Sequence, residues 1–191
     1  MKESTIKALI LDMDGTITQP VIDWKTLRSE IGATPGRSIM EHIRSLPDGA
    51  REKAESILLE TERQATDHVE LNEGFHELQT EIERRGLKTA VVTNNHGAAL
   101  SNVLSQHNLS FDVALSRDDG DLKPSPDLIL MALDRLDCSA ENALGVGDSF
   151  LDITACSQAG VRCIYLTHNA PQFDHTPSVS GLLDVIPFLR A

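Results

Sequence analysis

Five short apolar runs, regularly spaced amphipathic stretches between them and one long interval without any strand pattern predict an α/β fold. The architecture expected is a three-layer, Rossmann-like parallel sheet core with a small α-helical cap inserted after the first strand. The runs Ala8 to Leu11, Thr89 to Val92, Val113 to Leu115, Ala143 to Val146 and Cys163 to Leu166 are too short for buried helices and match fully buried strands. The segments between them are long enough for helical crossovers, which makes neighbouring strands parallel. Residues 18–73 break this alternation and contain only helical signals.

Taken in order, Ala8 to Leu11 ends in Asp12-Met13-Asp14-Gly15-Thr16, where Gly15 permits a tight departure from the strand. Asp23 is placed to cap a helix ending at Gly32, a second helix is expected from Gly36 to Leu46, and Asp48 to cap a long charged one reaching His68. Phe75, Leu78 and Ile82 recur at helical spacing before Gly86, a position for a left-handed cap. After the second strand come helical patterns over Ala98 to His107, Leu128 to Leu136 and Phe150 to Ala159, the last closed by Gly160. His168 to Pro177 reads as a loose connector. The expected organisation is therefore a core of residues 1–17 and 74–191 with a cap of residues 18–73.

The chain has 191 residues, 40% of them hydrophobic and 24% charged, enough for one core and a smaller appended element. Its formal charge of −12 disfavours nucleic acid and anionic membrane surfaces as partners. An anionic substrate would need local positive charge from a lysine, backbone N–H groups or a metal. Cys138, Cys156 and Cys163 form no CxxC pair, which fits reduced thiols, and the N-terminus lacks an apolar stretch of signal-peptide length. A cytoplasmic location is expected.

The chemistry-bearing residues fall at strand ends, where open α/β sheets bind ligands. Asp12 and Asp14 are two carboxylates close enough to repel unless a cation or a proton separates them. Val91-Val92 leads into Thr93-Asn94, a hydroxyl and an amide at a helix start suited to an anion. Asp121-Leu122-Lys123-Pro124 supplies a lysine at a stiffened position, and Gly147-Asp148-Ser149 with Asp152 adds two more acids. Each has an ordinary explanation alone, as turn, cap or surface charge. The group together has none.

The segments LDMDGT, VVTNN, DLKPSPD and GVGDSFLD, in that order over Ile6 to Leu166, resemble the four motifs of the haloacid-dehalogenase-like superfamily of phosphohydrolases. The resemblance, strongest toward the phosphoglycolate phosphatase-like branch, implies a Mg²⁺-dependent phosphatase acting on a small phosphorylated metabolite. It implies that Asp12 is the nucleophile that forms an aspartyl-phosphate and Asp14 the acid and base. It assigns Thr93, Asn94 and Lys123 to the phosphoryl oxygens, and Lys123 also to the charge of Asp12. Mg²⁺ would be held by Asp12, the carbonyl of Asp14 and Asp148, with Asp152 acting through a water or on the ligand shell. The insertion at residues 18–73 corresponds to a cap, shorter than the helical caps of phosphoglycolate phosphatases and sugar phosphomutases.

Asp14 argues against carbon–halogen cleavage, since such members lack the second aspartate. Lys25 and Lys53, the cap lysines, sit in no apolar sequence that would suit imine formation for phosphonate cleavage. A sugar phosphomutase would use the same two aspartates, and the short cap argues mildly against it. A phosphate-accepting signalling domain would carry its aspartate on a middle strand and have no insertion. His96 reads as structural or solvated, and Trp24 as packing between cap and core. The Glu- and Arg-rich run Arg51 to Arg63 reads as a solvated helix face.

Overall fold

The computed structural model describes residues 5–34 and 38–189. In chain order the elements are β1 (Ala8–Leu11), α1 (Trp24–Ile31), α2 (Ile39–Arg44), α3 (Asp48–Asp67), α4 (Phe75–Arg85), β2 (Lys88–Val92) and α5 (Gly97–Gln106). There follow β3 (Val113–Leu115), α6 (Asp127–Arg135), β4 (Ala143–Gly147), α7 (Phe150–Gln158), β5 (Arg162–Leu166) and β6 (Ser178–Val179), then a 3-10 run over Leu182–Leu189. The strands form one parallel sheet in the order β3-β2-β1-β4-β5-β6, with helices on both sides: a three-layer, Rossmann-like α/β core.

Strand β1 is central. Ala8 pairs with Lys88 on one side and Ala143 on the other, and all four of its residues are buried. That burial on both faces is why the sequence reads as an unbroken apolar run and not an alternation. On one face Ala8 and Ile10 join Ala90, Val92 and apolar residues of α6 and α7 in a single core. On the other, α4 packs with the 3-10 run Leu182–Leu189. Gly86 and Gly160 have φ of 61° and 74°, the left-handed caps expected after α4 and α7.

The chain divides into two compact units, Val21–Val69 and the remainder. Thr18 bridges to Asp14 and to Leu71, so residues 18–20 and 70–73 stand with the sheet unit. The Val21–Val69 unit is three helices around Leu27, Ile31, Ala33, Ile43, Ala54 and Leu58. Asp23 caps α1, accepting from the N–H groups of Lys25 and Thr26, and Gly32 ends it at φ 72°. Ser38 caps α2; Gly36, the expected start of this helix, lies outside the described residues.

Asp48 does not cap α3. Pro47, extended, takes that position, and Asp48 is the first helical residue with its carboxylate on Arg51 at 2.6 Å. Most of the charged run forms a solvated face, with exposed pairs Arg51–Asp48, Arg63–Glu60 and Arg63–Asp67, but Glu62 departs from that reading: it follows Ala54 and Leu58 at helical spacing and is buried. Exposed pairs of this kind, screened by solvent, contribute little to stability.

The connector His168 to Pro177 is pinned, contrary to its composition. Phe173 stacks on Tyr165 with ring centroids 4.2 Å apart, the N–H of Gln172 donates to the Tyr165 hydroxyl, and His175 bonds the Cys163 carbonyl. It leads into β6, which no apolar run announces. Among the described residues no helix is long and apolar enough to cross a membrane.

Candidate active site

Parallel pairing brings the carboxyl ends of β1, β2 and β4 together, and the candidate residues sit on the turns that leave them. Asp12 follows β1, held by its N–H on the Val146 carbonyl at 3.0 Å. Its side chain is only 9% exposed. Lys123, 5% exposed, reaches it from more than a hundred residues away: Nζ donates to Asp12 Oδ1 at 2.6 Å, Asp152 Oδ1 at 2.5 Å and the Val92 carbonyl at 2.9 Å. The ammonium therefore ties β1, β2 and α7 together.

Burial works against the charge on Lys123, but the Asp12 and Asp152 carboxylates outweigh it and hold the ammonium protonated well above its ordinary pKa. Asp12 moves upward as well: burial dominates, and Lys123 offsets it only in part. This is the expected behaviour of a crowded acidic site from which water is excluded.

Asp152 acts as a hinge between structure and chemistry. It is the third residue of α7, and its Oδ2 accepts from the N–H and hydroxyl of Ser149 while the Ser149 hydroxyl accepts from the Asp152 N–H. This capping box fixes the side chain so that Oδ1 points at Lys123. The pattern Ser-x-x-Asp in GVGDSFLD is legible in sequence, although the expectation for Asp152 rested on ligand chemistry. A Cβ on Gly147 would lie 2.3 Å from the Asp152 Cβ, so a glycine is required there.

Asp12, Asp148 and Asp152 each bring a carboxylate oxygen within 4.8 Å of the others. Burial, reinforced by the charge of Asp152, pushes the Asp148 carboxyl up to about 7. The turn at Gly15 makes room for it: φ there is +84°, and a Cβ would lie 2.1 Å from Asp148 Oδ2. Hard oxygen donors around a net negative site suit a small divalent cation. Both oxygens of Asp152 are engaged by protein donors.

Asp14 lies beside this cluster. Its Oδ2 accepts from the Thr93 hydroxyl at 3.2 Å, and the Asn95 amide lies 3.4 Å from each of its oxygens. Burial raises its pKa, with the Asn95 and Thr93 bonds opposing. Thr93 also accepts from the Asn95 N–H at the entry to α5.

Asn94 holds the Lys123 backbone with its side chain. The carboxamide accepts from the Lys123 N–H and donates to the Lys123 carbonyl, both at 2.9 Å, and so positions the lysine.

Sequence reasoning passed over three residues here: Asn95, Asn72 and His168. Asn72 Nδ2 donates to the carbonyls of Gly15, Thr16 and Thr18, which shapes the turn after Asp14. His168 Nε2 lies 2.6 Å from the same Gly15 carbonyl. Asn and His in loops carry no local signal for such contacts. His96 caps α5 by accepting from the Ala99 N–H, in line with a structural role. Trp24 opens α1 and is 46% exposed, and Lys25 and Lys53 are exposed.

A family model described as haloacid dehalogenase-like hydrolase matches residues 19–166. A haloacid dehalogenase-like hydrolase domain-containing protein of Arabidopsis thaliana is 29% identical over 94% of this chain and 78% of its own length. Phosphoglycolate phosphatase 1 of Pseudomonas aeruginosa is 27% identical over 95% of this chain and 79% of its own. Among solved structures, a hydrolase from Pseudomonas syringae superposes with a TM-score of 0.78 at 20% identity, covering 96% of this chain and 97% of its own.

Proposed function

The chain belongs to the haloacid dehalogenase-like hydrolase family, and from that premise we propose that it is a Mg²⁺-dependent phosphatase that hydrolyses a small phosphorylated metabolite through an aspartyl-phosphate. The observation that supports this most is the Lys123 ammonium bonded at once to Asp12 and Asp152. It orients one oxygen of Asp12 and leaves Oδ2, which has no hydrogen-bond donor among the described residues, to attack phosphorus. The bond from Oδ2 to phosphorus forms as the bond to the ester oxygen breaks, and Asp14 protonates the departing alkoxide. A carboxyl whose pKa burial raises is suited to that donation. Asp14, then ionised, takes a proton from water as it attacks phosphorus, which restores Asp12 and releases phosphate.

Thr93 and the backbone N–H of Asn94 bind the phosphoryl oxygens as their charge develops, and the Lys123 ammonium, its protons held by Asp12, Asp152 and the Val92 carbonyl, supplies positive charge beside them. Asp12, the Asp14 carbonyl and Asp148 would hold Mg²⁺, and Asp152 orients the shell through Lys123 and Ser149. The bound cation supplies charge neutralisation between the carboxylates and the phosphoryl group. The phosphoglycolate phosphatase relative, matched over 95% of this chain and 79% of its own length, supports a small phosphorylated substrate. In the same reading the helical unit Val21–Val69 serves as the substrate-selecting cap.

The test is phosphate release from a panel of phosphorylated metabolites with Mg²⁺ present. Activity should vanish on chelation and return with Mg²⁺, and Asp12→Asn should be inactive while melting as a folded protein. Full activity after exhaustive chelation, or in folded Asp12→Asn, overturns the reading.

A further inference from the structure

We infer that His168 is a positioning residue for the acid and base of this site, acting through the Gly15 carbonyl; the inference rests on the phosphatase reading of Asp14. His168 lies in the segment after β5, far from the four motifs, yet its Nε2 is 2.6 Å from the oxygen of Gly15, the residue after Asp14. A carbonyl only accepts, so Nε2 must bear the proton.

The geometry around it is costly. His168 and Asn169 have φ of 50° and 61°, two successive non-glycine residues in the left-handed region. Such residues carry backbone strain and persist where the surroundings over-determine them. The surroundings here are the bonds on either side: the N–H and hydroxyl of Thr167 donate to the Val179 carbonyl, and the Ala170 N–H to the Thr167 carbonyl. β6 thus anchors the bend that aims His168 at the turn.

At the turn the Gly15 carbonyl receives two donors, His168 Nε2 and Asn72 Nδ2 at 3.0 Å. Asn72 is shared among three carbonyls, whereas His168 Nε2 is directed at the Gly15 carbonyl. The Gly15 peptide follows directly from Asp14, whose carboxyl meets Thr93 and Asn95 through longer bonds of 3.2–3.4 Å. With side-chain restraint this slack, backbone orientation sets where the carboxyl sits. Fixing the Gly15 carbonyl therefore fixes the distance from Asp14 to a leaving oxygen. A displacement of about 1 Å at such a distance can cost about a hundredfold in rate.

The test compares wild type, His168→Phe and His168→Gln on an alkyl phosphate and on p-nitrophenyl phosphate, with the histidine tautomer read separately by two-bond ¹H–¹⁵N correlation. Phe keeps the ring and loses the donor; Gln places an N–H near the Nε2 position. The alkyl ester needs a proton on its leaving oxygen and the nitrophenyl ester barely does. Phe should therefore lower kcat by about ten- to a hundredfold on the alkyl ester and by less than about threefold on the nitrophenyl ester, and Gln should restore most of the loss. The spectrum should show the proton on Nε2. Equal losses on both esters, an unaffected Phe variant or a proton on Nδ1 overturns the inference. If Phe unfolds, the Gln variant and the tautomer still decide it. A wild-type protein that hydrolyses neither ester sinks the phosphatase reading instead, and the spectrum reports on the bond regardless.

Discussion

Replacing Lys123 by methionine should destabilise the metal-free protein by about 3–5 kcal/mol near pH 8, with the loss shrinking on acidification. The side chain is 5% exposed and gives its protons to the Asp12 and Asp152 carboxylates and the Val92 carbonyl. Methionine fills the same channel but supplies no donor, so two buried carboxylates lose their cation. For a chain of this length the cost corresponds to a fall in Tm of roughly 6–20 °C.

The sign of the pH dependence follows from Asp12. Burial already raises its pKa in the folded state, and Lys123 is what opposes that rise. Without Lys123 the folded variant retains a proton that the unfolded chain releases above the ordinary carboxylate range. Its stability is therefore full at low pH and is lost as pH climbs toward the raised value. Wild type keeps the compensating ammonium throughout. Urea unfolding with chelator, at about pH 8 and about pH 5.5, measures the gap directly. A gap under about 1 kcal/mol near pH 8, or one of equal size at both pH values, would refute the argument that the ammonium compensates buried charge.

Mg²⁺ should stabilise the folded protein more at high pH than at low, because the Asp148 carboxyl titrates at about 7 and must shed its proton to act as a ligand. The increment in thermal stability should grow from about pH 5.5 to about pH 8, by up to about 1.4 kcal/mol per pH unit; a flat increment in differential scanning fluorimetry would count against Asp148 as a ligand. Gly15→Ala should lower kcat by about a hundredfold and weaken Mg²⁺ binding by isothermal calorimetry, because its Cβ would sit 2.1 Å from Asp148 Oδ2 on a backbone with φ +84°. Gly86→Ala, also at positive φ but with nothing within 4 Å, is the control and should cost stability without changing kcat.

The sheet was legible because parallel strands buried on both faces leave unbroken apolar runs, and all five such runs became strands within a residue at either end. β6 escaped for the opposite reason: at two residues, Ser178–Val179, it is held by its neighbour β5 and carries no pattern of its own. Asp12, Lys123, Asp148 and Asp152 were foreseeable from strand-end position and from the motif resemblance, and the structure brings these four together. What the linear pattern lacked was the connectivity between groups. That Asn94 grips the Lys123 backbone and that His168 and Asn72 meet at one carbonyl are contacts between distant segments. The expected Asp48 cap failed locally, since Pro47 beside it already had the extended backbone a cap position needs.

The position of β1 has a consequence for synthesis. The central strand is made first, yet its partners Lys88–Val92 and Ala143–Gly147 are made later, and the second emerges more than a hundred residues after it. At about 5–20 residues per second, the wait for β4 is roughly 7–27 s, during which both edges of Ala8–Leu11 lack their final partners. The chain spends part of that interval making the Val21–Val69 unit, whose apolar cluster draws only on its own residues and can condense in the meantime. The exposed strand is four residues long, flanked by Lys7 and Asp12, and those charges guard a nascent edge against pairing with another chain. A charge at each end thus bounds the strand while its partners are still to be made.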